Sequence, residues 1–225
     1  MGSTKPTIKI DITSDTMCPW CFVGKRHLET AMKDFESTFE FDIEWKPFLL
    51  NSNTPEEGIP VLEYLAQRYG QQVADDARNG TSSLIAAGRK VGLNFDSNRK
   101  FVNSIRSHCL LDYARTEKKQ NQLAELLFQR YFIDGNNIND VKVLLDCAKE
   151  IGLKAEEAKK SLQDKERRKK IIEEAKVATQ NQIHGVPHFV ISLIGDQHGK
   201  AMPLHGCQPI EMFRRVFTSI KGRMI

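Results

Sequence analysis

Ser14-Asp15-Thr16-Met17-Cys18-Pro19-Trp20-Cys21-Phe22-Val23-Gly24-Lys25 joins a stretch with strand periodicity to one with helical periodicity, and it carries two cysteines three positions apart. Upstream, Ile8-Lys9-Ile10-Asp11-Ile12-Thr13 alternates apolar and polar side chains with β-branched residues, which predicts a strand. Downstream, Phe22, Leu28, Met32 and Phe35 fall roughly on one side of a helix over residues 18–36. Pro19 suits the first turn of that helix, because its missing N–H would have no intrahelical partner there. Cys18 is thereby expected at the exposed, amide-rich start of the helix, where unpaired N–H groups and the dipole favour a thiolate over a thiol. A thiolate is the attacking species in disulfide exchange. Cys21 follows one turn deeper on the same side, close enough to bridge, and is the natural resolving thiol.

Working outward, residues 39–49 alternate again and predict a second strand. From Thr54 the period changes to that of a helix and stays there to about Gln182. Pro60 opens one helix, with Leu62 and Leu65 inward and Gly70 closing it. Phe101, Ile105, Cys109 and Tyr113 recur at fourfold spacing, as do Leu123, Leu127 and Tyr131. Asn139 is expected as the N-cap of a helix that carries Leu144, Ala148 and Ile151 and stops at Gly152. A long charged helix is expected over about 155–182. The pattern then returns to strands at 187–192 and 201–206, separated by a turn at Gly195-Asp196. A last helix opens at Pro209-Ile210-Glu211, with Met212, Phe213, Val216, Phe217 and Ile220 inward. This order predicts an α/β domain made of residues 1–53 and 178–225, interrupted by an all-helical insertion domain over 54–177. The two β-bearing ends must therefore meet in space.

Composition narrows the function classes. A chain of 225 residues can bury a real core, and 40% hydrophobic with 28% charged residues is globular rather than disordered. The formal charge of +4 is mild, and the basic run Lys165-Glu166-Arg167-Arg168-Lys169-Lys170 is followed at once by Glu173 and Glu174. That run reads as a solvated helix face, so no nucleic-acid partner is expected. The longest apolar stretch, Phe189 to Ile194, is strand-sized and far below the ~20 residues that span a bilayer. The N-terminal residues lack the apolar region of a secretory leader, and Pro6 stands where a myristoylation pattern needs Ser or Thr. A cytoplasmic protein without a membrane partner is expected. Five cysteines, three of them scattered as Cys109, Cys147 and Cys207, do not make a secreted disulfide framework.

Two plainer readings of the cysteine pair compete. Cys18 and Cys21 could be half of a zinc site completed by His184 and His188, but zinc fingers keep their ligand pairs close in sequence, whereas these lie at opposite ends of the chain. No metal is therefore expected. Both could also be inert core residues, against which stand Pro19 and Trp20 at a strand-to-helix junction. Cys109 and Cys147 lie in the apolar registers of their helices and read as small buried hydrophobes. His27 reads as a helix-face residue near the dithiol, Trp20 as a side chain exposed beside the sulfurs, and Asp15 as a polar contact of the loop. His184 and His188 either tune the Cys18 thiolate or face water.

The Ser14–Lys25 segment resembles the active-site segment of the DsbA-like thiol–disulfide oxidoreductases of the thioredoxin-like superfamily, specifically the FrnE-like subgroup. His184-Gly185-Val186-Pro187-His188-Phe189-Val190 resembles the second landmark of that family, a Gly-Val-Pro before a strand. Gly206-Cys207-Gln208-Pro209 resembles its C-terminal end, although Ala is commoner where Cys207 stands. The order of elements agrees across nearly the whole chain. The resemblance implies a thioredoxin-like fold interrupted by a helical domain, with Cys18 as nucleophile and Cys21 as resolving cysteine. It also implies that Pro19, Trp20, Val186 and Pro187 contact substrate, and that Val186–Pro187 is a cis peptide that offers the Val186 backbone to an extended segment, in the manner of strand addition. Protein thiols and disulfides, or glutathione as a co-substrate, are the implied partners, with no resident cofactor. DsbA itself is exported, and no export signal is read here, so a role as general oxidant of secreted proteins does not carry over. The same architecture resembles 2-hydroxychromene-2-carboxylate isomerases and kappa-class glutathione transferases. Those proteins bind glutathione and typically place a Ser where Cys18 stands, so two retained cysteines favour dithiol redox chemistry. A redox-inactive peptide-binding module is the third alternative. The loop holding Cys207 is expected to border the groove, where Cys207 either approaches the dithiol or fills an alanine-like slot.

Overall fold

The structure, a computed structural model, describes residues 5–196 and 199–224. Residues 1–4, on which the leader expectation rests in part, lie outside that range. Strand β1 (Thr7–Ser14) buries Ile8, Ile10 and Ile12 on one face, while Lys9 and Asp11 form ion pairs on the other. Helix α1 (Pro19–Lys33) follows with Cys18 as its N-cap and Pro19 in its first turn. It ends at Asp34, short of the expected residue 36, and Phe35 turns in against Phe39 and Phe217. Strand β2 (Glu40–Pro47) returns parallel to β1, with Ile10 opposite Ile43.

The insertion is helical with one addition. A two-residue antiparallel bridge joins β3 (Ile59–Pro60) to β4 (Lys100–Phe101), so Phe101, placed by periodicity in a helix, belongs to a strand and stacks on Tyr64 at 3.8 Å. Helices α2 (Val61–Tyr69), α3 (Gln71–Asn79) and α4 (Ser83–Lys90) fill the segment between the bridge strands. Helix α5 (Ile105–Thr116) then packs on α6 (Gln120–Phe128). A π-helical turn over Gln129–Ile133 extends α6 and leaves two consecutive aromatics, Tyr131 and Phe132, both buried. Helix α7 (Val141–Glu150) is capped one residue later than expected. Asp140 accepts the Lys142 N–H at 2.7 Å, whereas Asn139 spends its side chain on Glu56 and Arg106. The single charged helix expected over 155–182 is two, α8 (Ala155–Gln163) and α9 (Lys165–Gln180). Asp164 breaks the run in an extended conformation and accepts hydrogen bonds from the backbone of Glu166 and Arg167, a cap worth about 1 kcal/mol.

The chain then returns to the sheet. Strand β5 (His188–Leu193) lies antiparallel to β1, strand β6 (Met202–His205) antiparallel to β5, and the sheet order is β2-β1-β5-β6. Helix α10 (Ile210–Gly222) packs beside α1, with Phe213 edge-on to Phe189 of β5 at 5.0 Å. The two ends of the chain thus share one sheet, as the sequence pattern requires. Helices α6 and α9 lie along β2, an edge strand of the sheet. There the Gln120 carboxamide accepts from Trp45 N at 2.8 Å and donates to Trp45 O at 3.0 Å, satisfying an edge strand's backbone from a side chain. One hydrophobic cluster runs through sheet and insertion, with Phe22 of α1 stacked on Phe128 of α6 at 5.1 Å.

Candidate active site

Three buried residues after β1, Asp15, Thr16 and Met17, lead into the first cysteine. Asp15 is 1% exposed, and its Oδ1 accepts the Met17 N–H at 3.0 Å, an Asx-type turn, while its backbone O accepts the Cys18 N–H at 2.9 Å. Its Oδ2 accepts the Leu50 N–H at 2.7 Å, tying the loop to the start of the insertion. His108 of α5 brings Nε2 to 3.6 Å from Asp15 Oδ1, and Thr16 Oγ1 meets Ser107 Oγ at 2.7 Å. The loop before the dithiol is therefore docked on α5 by polar contacts that the sequence pattern did not reveal. The nearest signal was the Asp two residues before Met17, which is the spacing of a local side-chain turn.

Cys18 and Cys21 are both free thiols. Cys18 stands at the N-cap in extended conformation, and Cys21 N donates to Cys18 O at 3.1 Å. Contrary to the expectation of an exposed helix start, Cys18 is only 5% exposed and Cys21 1%. The cover comes from across the sheet. Cys18 Sγ lies 3.5 Å from the carbonyl oxygen of Val186, 168 positions away, and the Val186–Pro187 peptide is cis. Pro187 is buried, and its carbonyl accepts the Gly206 N–H at 2.8 Å, fixing the turn that carries Cys207. Gly24 of α1 allows the close approach, since a Cβ there would stand 3.1 Å from Pro187 Cγ. Pro19 and Trp20 are half-buried at the rim. Burial first, then the Cys18 sulfur, hold the Cys21 thiol well above the ordinary cysteine range, opposed by the Ser14 hydroxyl and the Asp15 backbone.

Of the other candidate residues, Cys207 comes near enough to Cys18 to feel its charge, whereas Cys109 belongs to a separate hydrophobic cluster. His27 directs Nδ1 to the Gln208 carbonyl at 2.8 Å, with Cys207 Sγ 3.8 Å from the same nitrogen. Burial and the nearby Cys18 push the half-buried Cys207 thiol up to about 11. His188, opposite His205 in the β5–β6 register, meets it Nδ1 to Nδ1 at 3.0 Å, and burial followed by the His205 charge lowers its pKa. His184 is exposed and shares no such contact among the described residues. Cys109 and Cys147 are buried, and burial pushes each thiol up to about 11. Among the described residues no three His, Cys, Asp or Glu side chains converge on a point where they could hold a metal.

A dithiol at the start of a helix, opposed by an X-Pro turn in a four-stranded mixed sheet, defines a thioredoxin-fold protein. The chain belongs to the DSBA-like thioredoxin domain family, whose model matches residues 9–218. Over 199 residues, 82% of this chain and 87% of the relative, it is 29% identical to the uncharacterised protein YwbO of Bacillus subtilis (strain 168). It superposes on the crystal structure of a probable DsbA oxidoreductase from Streptomyces coelicolor with a TM-score of 0.80 and 28% identity, covering 96% of this chain and 90% of that one. The fold also matches the cytosolic disulfide reductase DsbM of Pseudomonas aeruginosa, at TM-score 0.61 and 15% identity over 96% of this chain and 100% of that one. DsbM has been solved with GSH as well. Among the described residues no helix is long and apolar enough to cross a membrane.

Proposed function

We propose that the protein is a thiol–disulfide oxidoreductase that uses Cys18 as nucleophile and Cys21 as resolving thiol, exchanging disulfides with protein segments or with glutathione. The observation that carries this reading is the placement of Cys18 Sγ at the start of α1 and 3.5 Å from the Val186 carbonyl, beside Pro187. The Cys18 thiolate attacks a substrate disulfide, an S–S bond to Cys18 forms, and one substrate sulfur leaves as thiolate. Cys21 then attacks Cys18 Sγ, the Cys18–Cys21 bond forms, and the second substrate sulfur departs with the proton that Cys21 gives up. Run backwards, the same steps oxidise a substrate dithiol. A Cys21 thiol held well above the ordinary range stays protonated and leaves Cys18 the first attack. An extended substrate strand pairs with the backbone of Val186, while Pro19, Trp20 and Pro187 form the walls of the groove. Residues 1–53 and 178–225 act as the exchange domain, and 54–177 shape the groove from above.

The Pro-Trp dipeptide between the cysteines and the Ser14-Asp15 lead-in support membership of the FrnE-like subgroup. The fold match to DsbM, a cytosolic reductase solved with GSH, supports a cytoplasmic site of action and glutathione among the substrates. Retention of both cysteines supports redox exchange over isomerase or transferase chemistry. Thiol titration tests the reading: protein treated with a mild disulfide oxidant should lose two free thiols, recover both with dithiothreitol, and yield a peptide linking Cys18 to Cys21. An oxidised protein that keeps every thiol would leave the redox role without support.

A further inference from the structure

The alternation of β1 places Ser14 on the same face as Ile8, Ile10 and Ile12. Ile12 is paired with Phe189, and the Phe189 ring is the surface over which Gly24 of α1 passes, with Cζ 3.3 Å from a Cβ built at Gly24. One step further along the same face, Ser14 therefore points under the first turn of α1, the turn that holds Cys21. Ser14 is 3% exposed, and among the described residues its Oγ has no hydrogen-bond partner in full geometry. A serine continuing a row of three isoleucines, buried and with an idle hydroxyl, is costly unless another state of the protein uses it.

We infer that the Ser14 hydroxyl, with the Asp15 backbone N–H, forms a cradle for the thiolate of Cys21, which makes Ser14 a catalytic residue of the exchange reaction. The inference rests on the function proposed above. Both groups act on the Cys21 sulfur in the direction that favours its thiolate, against burial and the adjacent Cys18. In the resting dithiol Cys21 carries its proton and is a weak acceptor, so the hydroxyl has little to bond. The charge appears during exchange. When a substrate thiolate attacks Cys18 of the oxidised protein, the Cys18–Cys21 bond breaks and its electron pair goes to Cys21. In the resolving direction Cys21 gives up its proton and attacks Cys18, and the departing substrate thiolate takes a proton. In both directions a negative sulfur sits for a moment in a buried site, where a charge-assisted hydrogen bond counts most.

A disulfide reagent with a coloured leaving group, 5,5′-dithiobis(2-nitrobenzoate), separates the two steps in the full chain. The first thionitrobenzoate is released by Cys18 and the second by resolution through Cys21. Ser14→Thr and Ser14→Val have the same shape and differ in the hydroxyl. The Val variant should resolve about tenfold more slowly than the Thr variant, the factor that corresponds to ~1.4 kcal/mol for one hydrogen bond to a charged group. The first release should match in both, and the pH at which the second phase accelerates should move upward in Val. Ser14→Ala, the smaller deletion, should show the same loss where Val packs poorly. Equal second phases in Thr and Val, or a fast second phase in Ala, would overturn the cradle. A wild-type protein that releases no second thionitrobenzoate would instead overturn the proposed function.

Discussion

Gly24→Ala probes the contact on which the site depends. In an unobstructed helix interior this change stabilises by up to about 1 kcal/mol, because alanine loses less backbone entropy on folding. Here the new methyl would stand 3.1 Å from Pro187 Cγ and 3.3 Å from Phe189 Cζ, whereas relaxed carbons sit at about 3.5–4.0 Å. Either α1 or the 186–189 segment must yield by a few tenths of an ångström, and overpacking of this kind costs roughly 1–3 kcal/mol. The net expectation is a loss of about 1 kcal/mol, which lowers Tm by about 2–4 °C in a chain of this size. The residue pushed away is Pro187, whose neighbour Val186 meets the Cys18 sulfur, so exchange should slow as well. Urea unfolding gives the stability and the first phase of thionitrobenzoate release gives the chemistry. A Gly24→Ala protein more stable than wild type by the full helix-propensity gain, with unchanged exchange, would refute the packing of α1 on Pro187.

Other outcomes follow from the electrostatics. Burial alone would raise the Glu125 carboxyl, but Arg26 and Lys25 hold it down at about 2. A depressed folded-state carboxyl stabilises at pH values above its unfolded pKa of about 4.3, and that contribution is lost as pH falls toward about 2. Glu125→Gln should therefore flatten the acid limb of urea midpoint against pH, and an unchanged limb would contradict the Lys25–Glu125 link between α1 and α6. Cys207, Cys109 and Cys147, each pushed up to about 11, should resist iodoacetamide in mildly alkaline buffer while Cys18 is modified. Peptide mapping that finds any of the three labelled before Cys18 would reverse the assignment.

The parts of this fold legible in the sequence are those fixed by local periodicity. The β1–α1 junction shows itself because Ile8, Ile10 and Ile12 alternate and Cys18-Pro19 opens a helix with its own start signal. The strand at Phe101 stayed hidden because two residues are too few to show a period, and Phe101 happens to keep helical phase with Ile105. The break at Asp164 was equally quiet. A charged run on both sides carries no apolar stripe to interrupt, and only the capping bonds to Glu166 and Arg167 reveal it. At the site, the cysteine pair was plain, but its burial was not, since Val186 reaches Cys18 from the far end of the chain. Asp15, Ser14 and the His27–Cys207 contact are likewise products of tertiary packing.

Trapping of the mixed disulfide tests the central claim most directly. Cys21→Ser removes the resolving thiol and leaves Cys18 at the N-cap of α1. Incubated with a disulfide-bonded peptide or with oxidised glutathione, this variant should accumulate one stable adduct, and mass mapping should place it on Cys18. The Cys18→Ser variant should accumulate none, because its Cys21 is 1% exposed and burial, the largest cause of its raised pKa, remains when the Cys18 sulfur is gone. An adduct on Cys21 or Cys207 in the Cys18→Ser protein, or the absence of any adduct on Cys18 in the Cys21→Ser protein, would contradict the account.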